Sequence, residues 1–201
     1  CIRDRVQSLG FTVGVVAQPQ EDADFARFGR PNIGFLVTSG VVDSMVNNYT
    51  VAKKRRTRDV YSEGGVPGRR PARCVDVYCK NLKRLFPDVP VAVGGIEASL
   101  RRFAHYDYWA DKVKRSVLLD SGADLISYGM GERSITAIAD ALDSGLPVSE
   151  LTFIPGTVYK TKKIPAMTNP LFLPGWERVS SDKEAYAESF RIQYENTDAV
   201  T

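Results

Sequence analysis

The chain has 201 residues, 43% hydrophobic and 25% charged, which supports a core of ordinary size and excludes an intrinsically disordered protein. A net charge of +3 implies no partner by itself, and no run approaches the ~18 apolar residues of a membrane-spanning helix. Cys1, Cys74 and Cys79 form an odd set without framework spacing, which excludes a disulfide-stapled secreted module and argues for a reducing, cytoplasmic location.

The chain opens on Cys1 and not on methionine. Ile2, Val6 and Leu9 recur at helical spacing, with Gly10 where a helix would stop. The expectation is a chain that starts inside a helix, with a preceding strand cut away. Residues 11–17 (FTVGVVA) read as a buried strand ended by Gln18 and Pro19. A short helix is expected over 22–28, a second strand over 32–37, and a helix over 41–49 with Val42, Met45, Val46 and Tyr49 on one face. Residues 53–70 have no periodicity and form a long charged loop. Residues 71–86 are the clearest helix, with Val75, Tyr78, Leu82, Leu85 and Phe86 as its apolar stripe. A strand over 89–93 runs into Gly94 and Gly95. A helix is expected over 112–119, a strand over 124–128, and a helix over 132–144 closed by Gly145.

Strands alternating with helices imply βαβ units, hence a three-layer α/β fold with a mostly parallel sheet and right-handed crossovers. From Leu151 the pattern weakens. Residues 151–154 and 157–160 are expected as edge strands, 165–175 as a proline-bearing linker, and 181–196 as a last helix capped by Ser180 or Ser181. The domain reading is an α/β body over 1–160, followed by a linker and helix over 161–201.

In such sheets ligands bind outside the carboxyl ends of the strands. Four segments are expected there: Thr38-Ser39-Gly40, Gly94-Gly95-Ile96-Glu97, Gly129-Met130-Gly131-Glu132 and Gln18-Pro19. Their glycines suit either close approach to an anionic ligand or a tight strand-to-helix turn. Gly94-Gly95 and Gly129–Gly131 leave open a nucleotide or phosphate site. The densest polar and aromatic stretch is EASLRRFAHYDYW, with Glu97, Arg101, Arg102, His105, Tyr106 and Asp107; His105 is the only histidine. It reads as an interface or a salt-bridged junction in which Arg101 or Arg102 pairs with Glu97 or Asp107. No nucleophile–base series makes it catalytic. Lys53, Lys54, Arg55, Arg56, Arg58, Arg69, Arg70 and Arg73 make a basic cluster, read as a solvated loop with phosphate or RNA contact as the alternative. Cys74 and Cys79, five apart on one helix, diverge by about 140° and read as core thiols. No metal site is expected in this chain. GxSxG, Walker and HExxH motifs are all missing from it.

The segments TSGVVDSMVNNYT (38–50), GGVPGRRPAR (64–73), GGIEASLRRFAHYDYW (94–109) and GERS (131–134) together resemble the N-terminal region of the YgiQ family, large bacterial radical SAM proteins without an assigned reaction. The first segment adds Asp43 and Asn47 to Ser39 as candidate ligand or domain-junction residues. The resemblance implies a front domain of flavodoxin-like, cobalamin-binding-domain-like fold ahead of a TIM-type barrel. That barrel's CxxxCxxC would hold a [4Fe–4S] cluster with S-adenosylmethionine on the open iron, and one-electron reduction there yields a deoxyadenosyl radical. This sequence contains no CxxxCxxC, so no cluster ligand carries over. Cobalamin is not expected either, because His105 stands in AHYDYW and not in DxHxxG. The implied role is an accessory domain that caps the barrel and shapes substrate access, its partner being the radical SAM core; the alternative is an RNA- or nucleotide-binding module acting through the basic loop 53–73, with RNA as substrate.

Overall fold

The structure, a computed structural model, describes residues 2–164 and 166–196. Its strands are β1 (Phe35–Thr38), β2 (Val91–Gly94), β3 (His105–Asp107), β4 (Lys112–Lys114), β5 (Leu125–Ser127) and β6 (Thr157–Tyr159). Its helices are α1 (Ile2–Ser8), α2 (Asp22–Phe25), α3 (Ser44–Asn48), α4 (Cys74–Leu85), α5 (Gly95–Leu100), α6 (Val117–Asp120), α7 (Glu132–Asp143), α8 (Trp176–Ser181) and α9 (Lys183–Glu195). The chain divides into two compact units. One comprises the residues up to Arg102 together with Val117–Lys160, and the other Phe103–Ser116 together with the residues from Thr161 onward.

The first unit is an α/β sandwich of flavodoxin-like architecture. Its sheet has the order β1-β2-β5-β6, with β1, β2 and β5 parallel and β6 antiparallel at the edge. Alternation along each strand sends successive side chains to opposite faces. Val37, Val91, Val93 and Ile126 therefore share one core with Val75, Cys79 and Leu82 of α4 and with Val117 and Leu118 of α6. Ala92 and Leu125 share the other core with Val6 of α1 and Ile135 and Ile138 of α7. Because β1, β2 and β5 are stepped through in one direction, right-handed connections deliver α4 and α6 to the same face. The opposite face is covered by α1 and by α7, which follows β5. Val91, Leu125 and Ile126 have no exposed surface, and each contributes roughly 1.5–3 kcal/mol by leaving water.

Helix α4 shows why the strongest periodic segment was readable. Val75, Tyr78, Cys79 and Leu82 are buried along one stripe. Its carboxyl end is tied down by Lys83, whose Nζ donates to Val89 O at 2.9 Å and lies 2.6 Å from Asp124 Oδ2. Most expected elements appear shortened at their ends, where helices fray and strands lose partners.

Several expectations are corrected. Residues 11–17 pair with no strand. Phe11 and Val13 instead lie half-buried against the second core, and Gly14 lets the Phe28 ring approach so closely that a Cβ there would stand 2.6 Å from Cδ2. An apolar run signals burial, but without a ladder Phe11, Val13 and Val16 are only partly covered and Val15 is 60% exposed. The helix expected over 112–119 is replaced by β4 and the short α6. Residues 151–154 form no strand; Leu151 and Ile154 are plugs in the second core. The last helix stands as α9, but its cap is Asp182, whose Oδ1 accepts from Glu184 N at 2.9 Å, and the separate α8 precedes it. Ser180 and Ser181 bond back to Glu177 O and cap nothing. Residues 166–175 have neither helix nor strand, and the Pro165 end of the expected linker lies outside the described residues.

The second unit pairs the β3–β4 hairpin with α8 and α9. Tyr106 faces Val113 across the hairpin, and Trp176 Nε1 donates to Val113 O at 3.3 Å. Tyr186 Oη accepts from Tyr106 N at 3.3 Å, tying α9 to β3.

Candidate functional site

At the carboxyl end of β1 the chain turns through Ser39 and Gly40 into α3. Asp43 caps that helix: Oδ1 accepts from Met45 N at 2.9 Å and from Val46 N at 3.2 Å. Its Oδ2 pairs with Arg101 Nη1 in a largely buried ion pair. The same nitrogen donates to Glu97 O at 3.3 Å.

Glu97 points inward from α5 and is 1% exposed. Its Oε2 accepts from Ser44 N at 2.8 Å and its Oε1 from Val75 N at 3.2 Å. One carboxylate thus meets the amino ends of α3 and α4, where unpaired N–H groups favour negative charge. Ser44 Oγ accepts from Cys74 N at 3.0 Å, and Cys74 Sγ lies 3.7 Å from Glu97 Oε2. The expected Glu97–arginine pair is therefore corrected: Arg101 pairs with Asp43, and backbone amides hold Glu97. Burial, and then the Glu97 charge, pushes the Cys74 thiol up; burial pushes Cys79 up to about 12. Both are neutral core thiols.

Asn47 extends this network into the charged loop. Its Nδ2 donates to Asp59 Oδ2 at 2.8 Å, and Asp59 also accepts from Ser62 Oγ at 2.7 Å and Tyr61 N at 2.9 Å. Burial pushes the Asp59 carboxyl up, but those three hydrogen bonds and the Arg70 charge outweigh it and hold it below the usual value. Arg70, 6% exposed, donates from Nη1 to Ser39 O at 2.9 Å and to Val42 O at 3.3 Å. The basic loop is therefore anchored by Asp59, Ser62 and Arg70, and only part of it is a solvated face.

The glycines have specific tasks. Gly95 has φ +79°, and a Cβ there would stand 2.5 Å from Thr38 Oγ1. Gly94 lies so close to β5 that a Cβ would stand 3.1 Å from Ser127 O. At the end of β5, Gly129 N donates to Ser99 Oγ at 3.1 Å, and Arg102 Nη1 donates to Ser99 O at 2.7 Å. The Arg102 guanidinium stands 5.1 Å from the centre of the Tyr128 ring. Gly131 precedes α7 and accepts from Ser134 Oγ at 3.2 Å, while Glu132 lies exposed in the first helical turn. Gln18 is not at a strand end; its Nε2 donates to Ser62 Oγ at 2.7 Å.

The stretch from Glu97 to Trp109 crosses from one unit to the other after Arg102. In the second unit, His105 Nδ1 donates to Phe103 O at 3.0 Å. Tyr106 Oη donates to Asp111 Oδ1, and this bond to a carboxylate pushes the Tyr106 phenol up. Asp107 Oδ1 accepts from Ala110 N at 2.9 Å, and its Oδ2 lies 3.6 Å from Lys114.

The first unit thus gathers Ser39, Asp43, Asn47, Glu97 and Arg101 into one connected network. It joins them to Ser44, Asp59, Arg70 and Cys74, which the sequence reading missed as site residues. Asp59 carried a usable signal, being the one carboxylate inside KKRRTRDVYS.

A family model described as Radical SAM N-terminal matches residues 2–201. The chain belongs to that family. This radical SAM N-terminal domain is 49% identical over 193 residues to a UPF0313 protein of Clostridium botulinum (strain ATCC 19397 / Type A), covering 95% of the chain and 30% of the relative. It is 48% identical over 198 residues to a UPF0313 protein of Clostridium perfringens (strain 13 / Type A), covering 97% and 30%. It is likewise 48% identical over 195 residues to a UPF0313 protein of Methanocella arvoryzae, covering 96% and 33%. No solved structure matches the domain. The domain spans about a third of the length of these curated relatives. The resemblance carried by GGIEASLRRFAHYDYW and its companion segments therefore holds: this is the N-terminal domain of a radical SAM family protein.

The family implies a [4Fe–4S] cluster and S-adenosylmethionine for the longer protein. The residues of this domain do not fit the cluster. Its ligands are thiolates, whereas burial pushes the Cys74 and Cys79 thiols up, away from the thiolate, and the two diverge on α4. Among the described residues no three His, Cys, Asp or Glu side chains stand together as a metal site. No helix among them is long and apolar enough to cross a membrane.

Proposed function

We propose that the domain is the accessory front part of a cytoplasmic radical SAM enzyme, capping its catalytic barrel and shaping the path of substrate into it. Residues 1–160 form the body in this reading, and 161–201 lead toward the radical SAM core, which carries the cluster. The observation that carries the proposal is the family match over residues 2–201 in a chain spanning about a third of its relatives. The polar network at the carboxyl ends of β1 and β2 supports it, because sheets of this kind receive ligands at that edge. Within the network, Glu97 and Asp43 set the positions of α3, α4 and α5, and Arg101 locks α5 to α3. Glu97 is an anchor, since both its oxygens are engaged by backbone amides.

The test uses Arg101→Ala and His105→Ala in the intact protein. Slower S-adenosylmethionine cleavage, or faster proteolytic release of the domain, is the expected result. If both rates match the wild type while the variants remain folded, the domain has no part in access or docking.

A further inference from the structure

The anchored half of the basic loop leaves a small cleft of about 130 Å³ beside the carboxyl end of β1, lined by residues that include Asn48, Tyr49, Arg55, Arg56, Asp59 and Arg70. Pockets for drug-sized ligands begin near ~300 Å³, so this one suits a single compact group.

Three guanidinium groups line it, and among the described residues none of the three forms an ion pair. The one carboxylate present, Asp59, is already engaged by Asn47, Ser62 and the Tyr61 amide. Each arginine is also held by one side. Arg55 lies 5.9 Å from the centre of the Tyr49 ring. Arg56 Nε donates to Val46 O at 3.1 Å and to Tyr49 O at 3.2 Å. Arg70 is held by Ser39 O and Val42 O, and its guanidinium lies 5.8 Å from the Tyr61 ring. The terminal nitrogens of Arg55 and Arg56 make no hydrogen bond within the described residues. Three like charges facing a single carboxylate still repel one another, and a bound oxyanion relieves that repulsion while accepting bidentate bonds from the fixed forks. The cation–π contacts hold two of the forks in place before a ligand arrives, which lowers the ordering cost of binding.

We propose that this cleft is a phosphoryl-binding site that takes the phosphate of a phosphate ester, with Arg55 and Arg56 as ligands and Arg70 as the buried charge behind them. The site requires nothing of the capping role, and its readout is separate from S-adenosylmethionine cleavage, so either reading can fail alone.

Calorimetric titration of the intact protein with inorganic phosphate at low salt tests it. One phosphate per chain is the expected stoichiometry. Arg55→Ala should weaken binding about tenfold or more, the loss of one charge-assisted pair, and Arg27→Ala, an exposed arginine elsewhere, should not. Arg55 is exposed and donates no hydrogen bond, so its removal spares the fold; Arg56→Gln provides a second arm. Competition by a nucleoside monophosphate alone would identify a small phosphate ester as the source. Competition by a single-stranded oligoribonucleotide with a steep salt dependence would identify a nucleic-acid backbone. No phosphate binding by the folded protein, or binding indifferent to both Arg55→Ala and Arg56→Gln, overturns the proposal.

Discussion

Glu97 is a polar side chain with 1% of its surface exposed, and both its carboxyl oxygens are met by backbone amides because two helices turn their amino ends toward it. Glutamine has the same shape but replaces one acceptor with an N–H₂ group that must face a backbone N–H. Glu97→Gln should therefore lower stability by about 1–3 kcal/mol, the cost of a buried donor left without a partner. Chemical denaturation of the two proteins measures this, and equal midpoints with equal slopes would show that the carboxylate is not what joins α3 to α4. The sequence announced Glu97 through the polarity of its surroundings. It did not reveal the partners, because two of them are backbone amides of residues 22 and 53 positions away. Asp59 and Arg70 were hidden for a related reason: a loop without periodicity gives no indication of which of its charges turn inward.

Among the elements, legibility followed length and period. The helix over 132–144 was readable because twelve residues of α7 repeat a buried stripe through Ile135, Ile138 and Ala139. Strands β1 and β5 were readable as short apolar runs between glycines, and β2 as one between Pro90 and Gly94-Gly95. The β3–β4 hairpin was missed because each strand has three residues and one is KVK, whose alternation charged flanks obscure. Its turn was written in residues that tolerate unusual backbone, with Asp111 at φ +51° and Asp107 bonding Ala110 N. Residues 11–17 failed in the opposite direction, since an apolar β-branched run specifies burial and only a neighbouring strand makes it a ladder. The β2–α5 junction, by contrast, rests on one residue. Gly95→Ala would force a side chain into the left-handed region and against Thr38 Oγ1, so a loss of at least ~1 kcal/mol is expected. Thermal unfolding checks it, and an unchanged midpoint would show that the junction relaxes freely.

At the scale of the whole molecule, the body is a sheet stepped through in one direction, with its polar network at the carboxyl edge and Cys74 and Cys79 buried in its core. The second unit is a separate small assembly of hairpin and helices. The curated relatives that they match are about three times as long as this chain. The chemistry of the intact protein is proposed to reside in the remainder, with this domain controlling what reaches it. The most direct measurement purifies the intact protein without oxygen, reduces it, and follows 5′-deoxyadenosine formation from S-adenosylmethionine alongside iron content. The account predicts a [4Fe–4S] cluster and formation of 5′-deoxyadenosine. Folded protein that, after reconstitution with iron and sulfide, still holds no cluster and cleaves no S-adenosylmethionine would contradict it.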